Sequence, residues 1–269
     1  MSTIFDYEGH KPCPGKHLRA VIHWFRLDLR LADNPALSAA ARSGQPFIAV
    51  YILDDEIPWA PGGASRWWLH HSLAQLDETL QAKGSRLLLR RGHTLQVLLR
   101  LIEEVDAEAI YCTRCYAPHA VRLERELNEL LQRRGVRVSR YSGGSLTEPE
   151  QMTSALGQPY QVFTPFWNVC RQMTEPLRPQ PPPERIHPYL KSLPSERLAD
   201  WALLPAKPDW AGGLRASWTP GERGAHERLQ RFLDESATQY ETARDRPDRQ
   251  GTSRLSPHLH FGEISARFV

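Results

Sequence analysis

The chain has 269 residues, 41% of them hydrophobic and 24% charged, with a formal net charge of +3. That balance excludes wholesale disorder, and the length allows one full domain and part of a second. The charge alone does not identify a nucleic-acid binder, because clustering of arginines matters more than their sum.

Residues 1–18 are polar, contain Pro12, Pro14 and Gly15, and lack the apolar core of a signal peptide. They read as a disordered extension on a cytoplasmic protein, and no later stretch approaches the ~20 apolar residues of a membrane span. Ala20 to Phe25 is a short apolar run suited to a buried strand. Asn34-Pro35 opens a helix over Ala36–Arg42, with Asn34 as cap and Pro35 in the first turn. Further strands are expected at Pro46–Leu53, Arg86–Arg90, Ala109–Cys112 and Val136–Arg140. Helices are expected between them at Ser65–Lys83, Leu95–Val105 and Ala120–Arg134, with Gly84 and Gly135 as stops.

Strand and helix in alternation predict an α/β fold: a Rossmann-like, five-stranded parallel sheet domain over residues 19–145. The loop after the first strand, Arg26 to Asp33, has no glycine, so it cannot cradle a dinucleotide pyrophosphate in the usual Rossmann way. Its alternating charges, Arg26, Asp28, Arg30 and Asp33, suit a structural ion-pair network that holds this domain against a second one. Cys112 and Cys115 form a C-x-x-C pair, but no second pair or matching histidines complete a zinc site, and Cys112 reads as a small apolar residue at a strand end.

From residue 146 to 217 prolines cluster and no long periodic pattern survives, which predicts a long inter-domain linker. From Glu222 the pattern turns helical, with Ala225, Leu229, Phe232, Leu233 and Tyr240 near one face, and residues 218–269 read as the start of an all-helical domain. Ser265 suits the cap of a final helix of which one turn is present, so a longer parent protein is expected. Trp67, Trp68, Trp167 and Trp218 read as large aromatics at domain contacts.

Three stretches together resemble the class I DNA photolyases of the photolyase/cryptochrome family. They are His23 to Asn34, Tyr160 to Trp167, and the segment holding Tyr240 to Pro247 and Gly251 to Gly262. The resemblance implies that the helical part binds FAD through Tyr240, Thr252, Ser253, Arg254, Leu255 and Ser256. Ser256-Pro257 then reads as cap and first turn of a helix, a place that favours anions. Arg244, four residues after Tyr240 on one helical face, is implied to contact the DNA backbone. The implied function is light-driven repair of cyclobutane pyrimidine dimers by electron transfer from reduced FAD in a monomeric parent. The chain itself holds no catalytic residue or metal ligand and is expected to be inactive alone. A cryptochrome-type photoreceptor and a (6-4) photolyase are the alternatives. The sheet domain of this family often carries an antenna, a folate or a deazaflavin. Ala120 stands where folate users tend to place a glutamate, which counts against a folate and leaves a deazaflavin or no antenna.

Overall fold

The computed structural model describes residues 19–58, 60–154, 157–172 and 178–269. The expected extension over residues 1–18 lies outside the described residues. Five parallel strands form the sheet: β1 (Ala20–Phe25), β2 (Phe47–Leu53), β3 (Leu87–Arg91), β4 (Ala107–Thr113) and β5 (Arg137–Tyr141). Their order across the sheet is β3-β2-β1-β4-β5. Helices α1 (Pro35–Arg42), α2 (Gly63–Ala82), α3 (Thr94–Val105) and α4 (Pro118–Gln132) make the crossovers. The fold is the expected Rossmann-like α/β arrangement, with element ends shifted by one or two residues.

Strand β1 is buried along its whole length, which is why it reads as a mostly apolar run, broken only by His23. Its alternate residues feed two cores on opposite faces of the sheet. Val21 and Phe25 join Leu37, Leu73 and Leu76 on one side, and Ile22 and Trp24 join Leu98, Leu101 and Leu127 on the other. Asn34 caps α1 as expected, its Oδ1 accepting from Leu37 N at 3.0 Å. The chain leaves β1 outward to β3, then returns to place β4 on the other side of β1. The strand order therefore reverses between β1 and β4, and a crevice opens at their carboxyl ends.

The stretch after β5 is more structured than its prolines suggest. It contains α5 (Phe163–Cys170), in which Pro165 falls in the first turn, where no intrahelical N–H is lost. None of the residues of α5 is buried, and Trp167 is exposed, not packed at a domain contact. Further on, Phe47 N donates to His187 O at 2.7 Å and Glu196 N to Leu89 O at 3.0 Å, so the connection lies along β2 and β3.

The remaining helices are α6 (Gly212–Ser217), α7 (Glu222–Glu235), α8 (Tyr240–Ala243) and α9 (Ser256–Phe261). Only part of the expected apolar face of this region is buried. Ala225 and Leu229 pack with Leu255 and Ile264, whereas Leu233 and Tyr240 are exposed. Residues 265–268 form one turn, in which Ser265 Oγ accepts from Phe268 N at 3.2 Å. No helix among the described residues is long and apolar enough to cross a membrane.

Candidate functional site

The loop that enters α9 collects the residues expected to hold a phosphate. Gly251 lets it come in close, since a Cβ there would overlap the Ala243 carbonyl, and that contact sets the loop against the end of α8. Thr252 is exposed, and Ser253 and Arg254 are half-buried. Leu255 is buried and anchors the loop in the Ala225–Leu229 cluster. Among the described residues the hydroxyls of Thr252, Ser253 and Ser256 have no hydrogen-bond partner. Ser256 is the first residue of α9 and not its cap. The cap position is Leu255, and no side chain bonds there. The cause is Arg254, which adopts a left-handed φ of 53° and turns the chain one residue earlier than Ser256-Pro257 suggests.

Around this loop lies positive charge without an acidic partner. The Arg254 guanidinium sits 4.7 Å from the centre of the Trp218 ring, and that of Arg228, from α7, sits 4.5 Å from it. Neither arginine forms an ion pair among the described residues. Partial burial, and then the neighbouring Arg254 and Arg231, lower the Arg228 pKa from its ordinary value. Free hydroxyls beside uncompensated guanidiniums fit a phosphate group. Arg228 and Trp218 were not singled out for this role from the sequence. An i, i+3 arrangement of Arg228 and Arg231 on α7 is the only sequence sign of it.

Tyr240 and Arg244 stand one turn apart, with Arg244 N donating to Tyr240 O at 2.9 Å. The Tyr240 ring is exposed and meets Phe232 edge-on at 5.8 Å. The Arg244 side chain is exposed, with a loose 3.5 Å contact to Asp245. It is therefore available to an external anion.

The charges after β1 do not pair with one another. Arg26 meets Glu124 of α4 at 2.6 Å, and Asp28 accepts from Thr113 Oγ1 at 2.7 Å and Arg26 N at 2.8 Å. Arg30 is buried and donates only to carbonyls, those of Ala32, Asp33, Gly143 and Gly262, at 2.8 to 3.1 Å. Burial lowers its pKa, with Asp28, Asp33 and Glu222 acting against that shift. Asp33 takes a two-pronged contact from Arg267 at 3.0 and 3.1 Å. Glu222 accepts from Leu31 N and Ala32 N, both at 2.8 Å. These bonds tie the β1 loop to the helical segment.

At the carboxyl ends of β1 and β4 a crevice of about 290 Å³ is lined by Arg26, Thr113, Arg114, Tyr116 and His260, among others. Ala120 is buried in the first turn of α4 and offers no polar group to a ligand. Cys112 and Cys115 are not bonded to each other, and no group of three or more histidine, cysteine or acidic residues among the described residues could hold a metal.

Residues 21–184 match the DNA photolyase family. The chain is 44% identical over 250 residues to the deoxyribodipyrimidine photo-lyase of Agrobacterium fabrum, covering 93% of this chain and 52% of that protein. It is 35% identical to cryptochrome-1 of Arabidopsis thaliana, covering 92% of this chain and 37% of that one. Among solved structures it superposes on a bacterial class III photolyase from Agrobacterium tumefaciens with a TM-score of 0.90 and 42% identity, over 94% of this chain and 52% of that one. The chain thus spans about half the length of the curated photolyase it matches. This likeness to a class III enzyme corrects the class I resemblance drawn from the motifs. The matched residues and the sheet they form make the chain a member of the photolyase/cryptochrome family.

Proposed function

We propose that the intact protein is a light-driven DNA repair enzyme of the class III photolyase kind, which uses FAD to split cyclobutane pyrimidine dimers. The observation that carries this reading is the loop of residues 252–256, with three unpartnered hydroxyls beside the uncompensated Arg228 and Arg254. Bound there, FAD would supply the blue-light absorption and the one-electron chemistry. Thr252, Ser253 and Ser256 would bond its phosphate oxygens, and Arg254 with Arg228 would balance their charge. Tyr240, exposed on the adjoining turn, would contact the cofactor through its ring. Arg244 would bind the DNA backbone, and the dimer would leave the stack at a cost of a few kcal/mol, less for a damaged base. The protein is read as a cytoplasmic monomer.

The crevice between β1 and β4 lies where open α/β sheets bind ligands and suits a second, antenna chromophore. Its two arginines are already paired, Arg26 with Glu124 and Arg114 with Glu148, and the apolar Ala120 continues to count against a folate bound through a glutamate at that position.

Irradiation of the flavin-loaded intact protein with an oligonucleotide carrying one thymine dimer tests the proposal. Loss of the dimer in blue light and none in the dark is the expected result. The identity to a plant cryptochrome favours one second reading, a photoreceptor. Flavin bound, light absorbed and the dimer left intact would select it.

A further inference from the structure

The helix that carries Ser256 is fastened to the sheet domain at its other end by three buried polar side chains. Trp68 of α2 donates its Nε1–H to Glu263 Oε1 at 2.8 Å. His258 Nδ1 lies 2.5 Å from Glu263 Oε2. The carboxylate and the imidazole are both fully buried. Whichever partner carries it, one proton lies between Nδ1 and Oε2. The backbone closes the same unit, with Glu263 N donating to His258 O at 2.9 Å. The Trp68 ring meets His258 edge-on at 5.0 Å and lies parallel to Phe261 at 6.1 Å.

This arrangement is costly for packing alone. A buried carboxylate must be fully paired, and apolar side chains of similar volume often give equal or greater stability. What the polar group adds is direction, because its two oxygens accept along two fixed lines. Helix α9 has only six residues, too few to hold itself in place. Its orientation, and that of the loop leading into it, is set by what grips it. Leu255 grips the N-terminal end through apolar contact, which fixes depth but not rotation. The carboxylate grips the C-terminal end through hydrogen bonds, which fix rotation.

We propose that Trp68, Glu263 and His258 are positioning residues that hold the hydroxyl loop of residues 252–256 in the orientation its phosphate ligand requires. Cofactor affinity is thereby coupled to α2 of the sheet domain. The inference rests on the reading of that loop as the FAD phosphate site.

The test uses the intact protein and three variants, Glu263→Leu, Trp68→Phe and Glu263→Gln. Amide hydrogen exchange over residues 252–262 is measured without flavin, and the FAD dissociation constant by fluorescence titration. Glu263→Leu and Trp68→Phe should each raise exchange in that segment and weaken FAD about tenfold, the scale of one hydrogen bond to a charged group. The five strands should stay as protected as in the wild type. Glu263→Gln keeps an acceptor for Trp68 and can donate to His258 in its other tautomer, whose buried Nε2–H then lacks a partner, so it should recover part of both losses. Trp68→Phe keeps an aromatic ring and Glu263→Gln keeps the side-chain volume, so they report even if Glu263→Leu does not fold. Unchanged exchange in Trp68→Phe, or raised exchange with FAD affinity intact, overturns the proposal. A wild-type protein that binds no FAD overturns the phosphate reading instead, and the positioning role with it.

Discussion

Arg30 and Gly262, 232 residues apart in the chain, meet at a 2.9 Å hydrogen bond from Nη1 to the glycine carbonyl. Gly262 has a left-handed φ of 67°, and a Cβ there would overlap the Leu27 carbonyl. The closeness of the β1 loop to the end of α9 depends on that missing Cβ. Gly262→Ala should therefore destabilise the protein by more than about 3 kcal/mol, since backbone strain and a backbone clash add. Urea unfolding measures it, and a loss under about 1 kcal/mol would show that the two segments can part freely.

His23 gives the sheet domain a pH dependence. It is fully buried in β1, and neither ring nitrogen has a hydrogen-bond partner among the described residues. Burial lowers its pKa to about 4, with Asp28 at 3.8 Å opposing the shift. The folded state binds this proton less readily than the unfolded chain. The contribution is complete above the ordinary histidine pKa and is lost as pH falls from there through about 4. The full loss is roughly 3 kcal/mol at ~1.4 kcal/mol per unit. His23→Leu should flatten this part of the acid limb, as urea midpoints at several pH values would show. An unchanged acid limb would assign it to other groups.

The two thiols of the C-x-x-C pair should differ in reactivity. Burial pushes the Cys112 thiol up to about 12, while Cys115 is half-buried beside the crevice. Iodoacetamide on the native protein should label Cys115 and leave Cys112 until denaturant is added. Equal labelling of both would mean that the ends of β1 and β4 open in solution.

Arg244→Ala tests the proposed DNA contact. Its exposed guanidinium lies one turn from Tyr240, outside the Arg228–Trp218–Arg254 group. In the intact protein the variant should weaken binding to damaged and undamaged DNA about equally. It should also lower the salt slope of log K by roughly one, as for one lost phosphate contact. FAD content should stay near normal. Loss of flavin with an unchanged salt slope would move Arg244 to the cofactor.

The sheet domain was legible because its inner strands β1, β2 and β4 are buried and read as mostly apolar runs, and because Asn34-Pro35 marks a helix start without tertiary help. The shifted ends reflect pairing. Thr113 extends β4 because Tyr141 lies opposite it, which no local pattern shows. The charges Arg26, Asp28, Arg30 and Asp33 were legible as structural, but their partners were not. Glu124, Gly143, Gly262 and Arg267 are far away in sequence and are brought in by the fold. Helix α5 was hidden by the surrounding prolines, and the start of α9 by Arg254, a non-glycine residue in a left-handed conformation. The Trp68–Glu263–His258 contact joins two segments that are unremarkable when read alone.

The measurement closest to the central claim is FAD affinity of the intact protein with Thr252→Ala and Ser253→Ala combined. Both hydroxyls are free of protein partners among the described residues, so removing them should leave the fold unchanged by circular dichroism. A hydrogen bond to a charged group is worth about 1.5–3 kcal/mol, so the double variant should bind FAD at least about tenfold more weakly. Wild-type affinity in a normally folded double variant would contradict the claim that this loop holds the phosphates of the flavin.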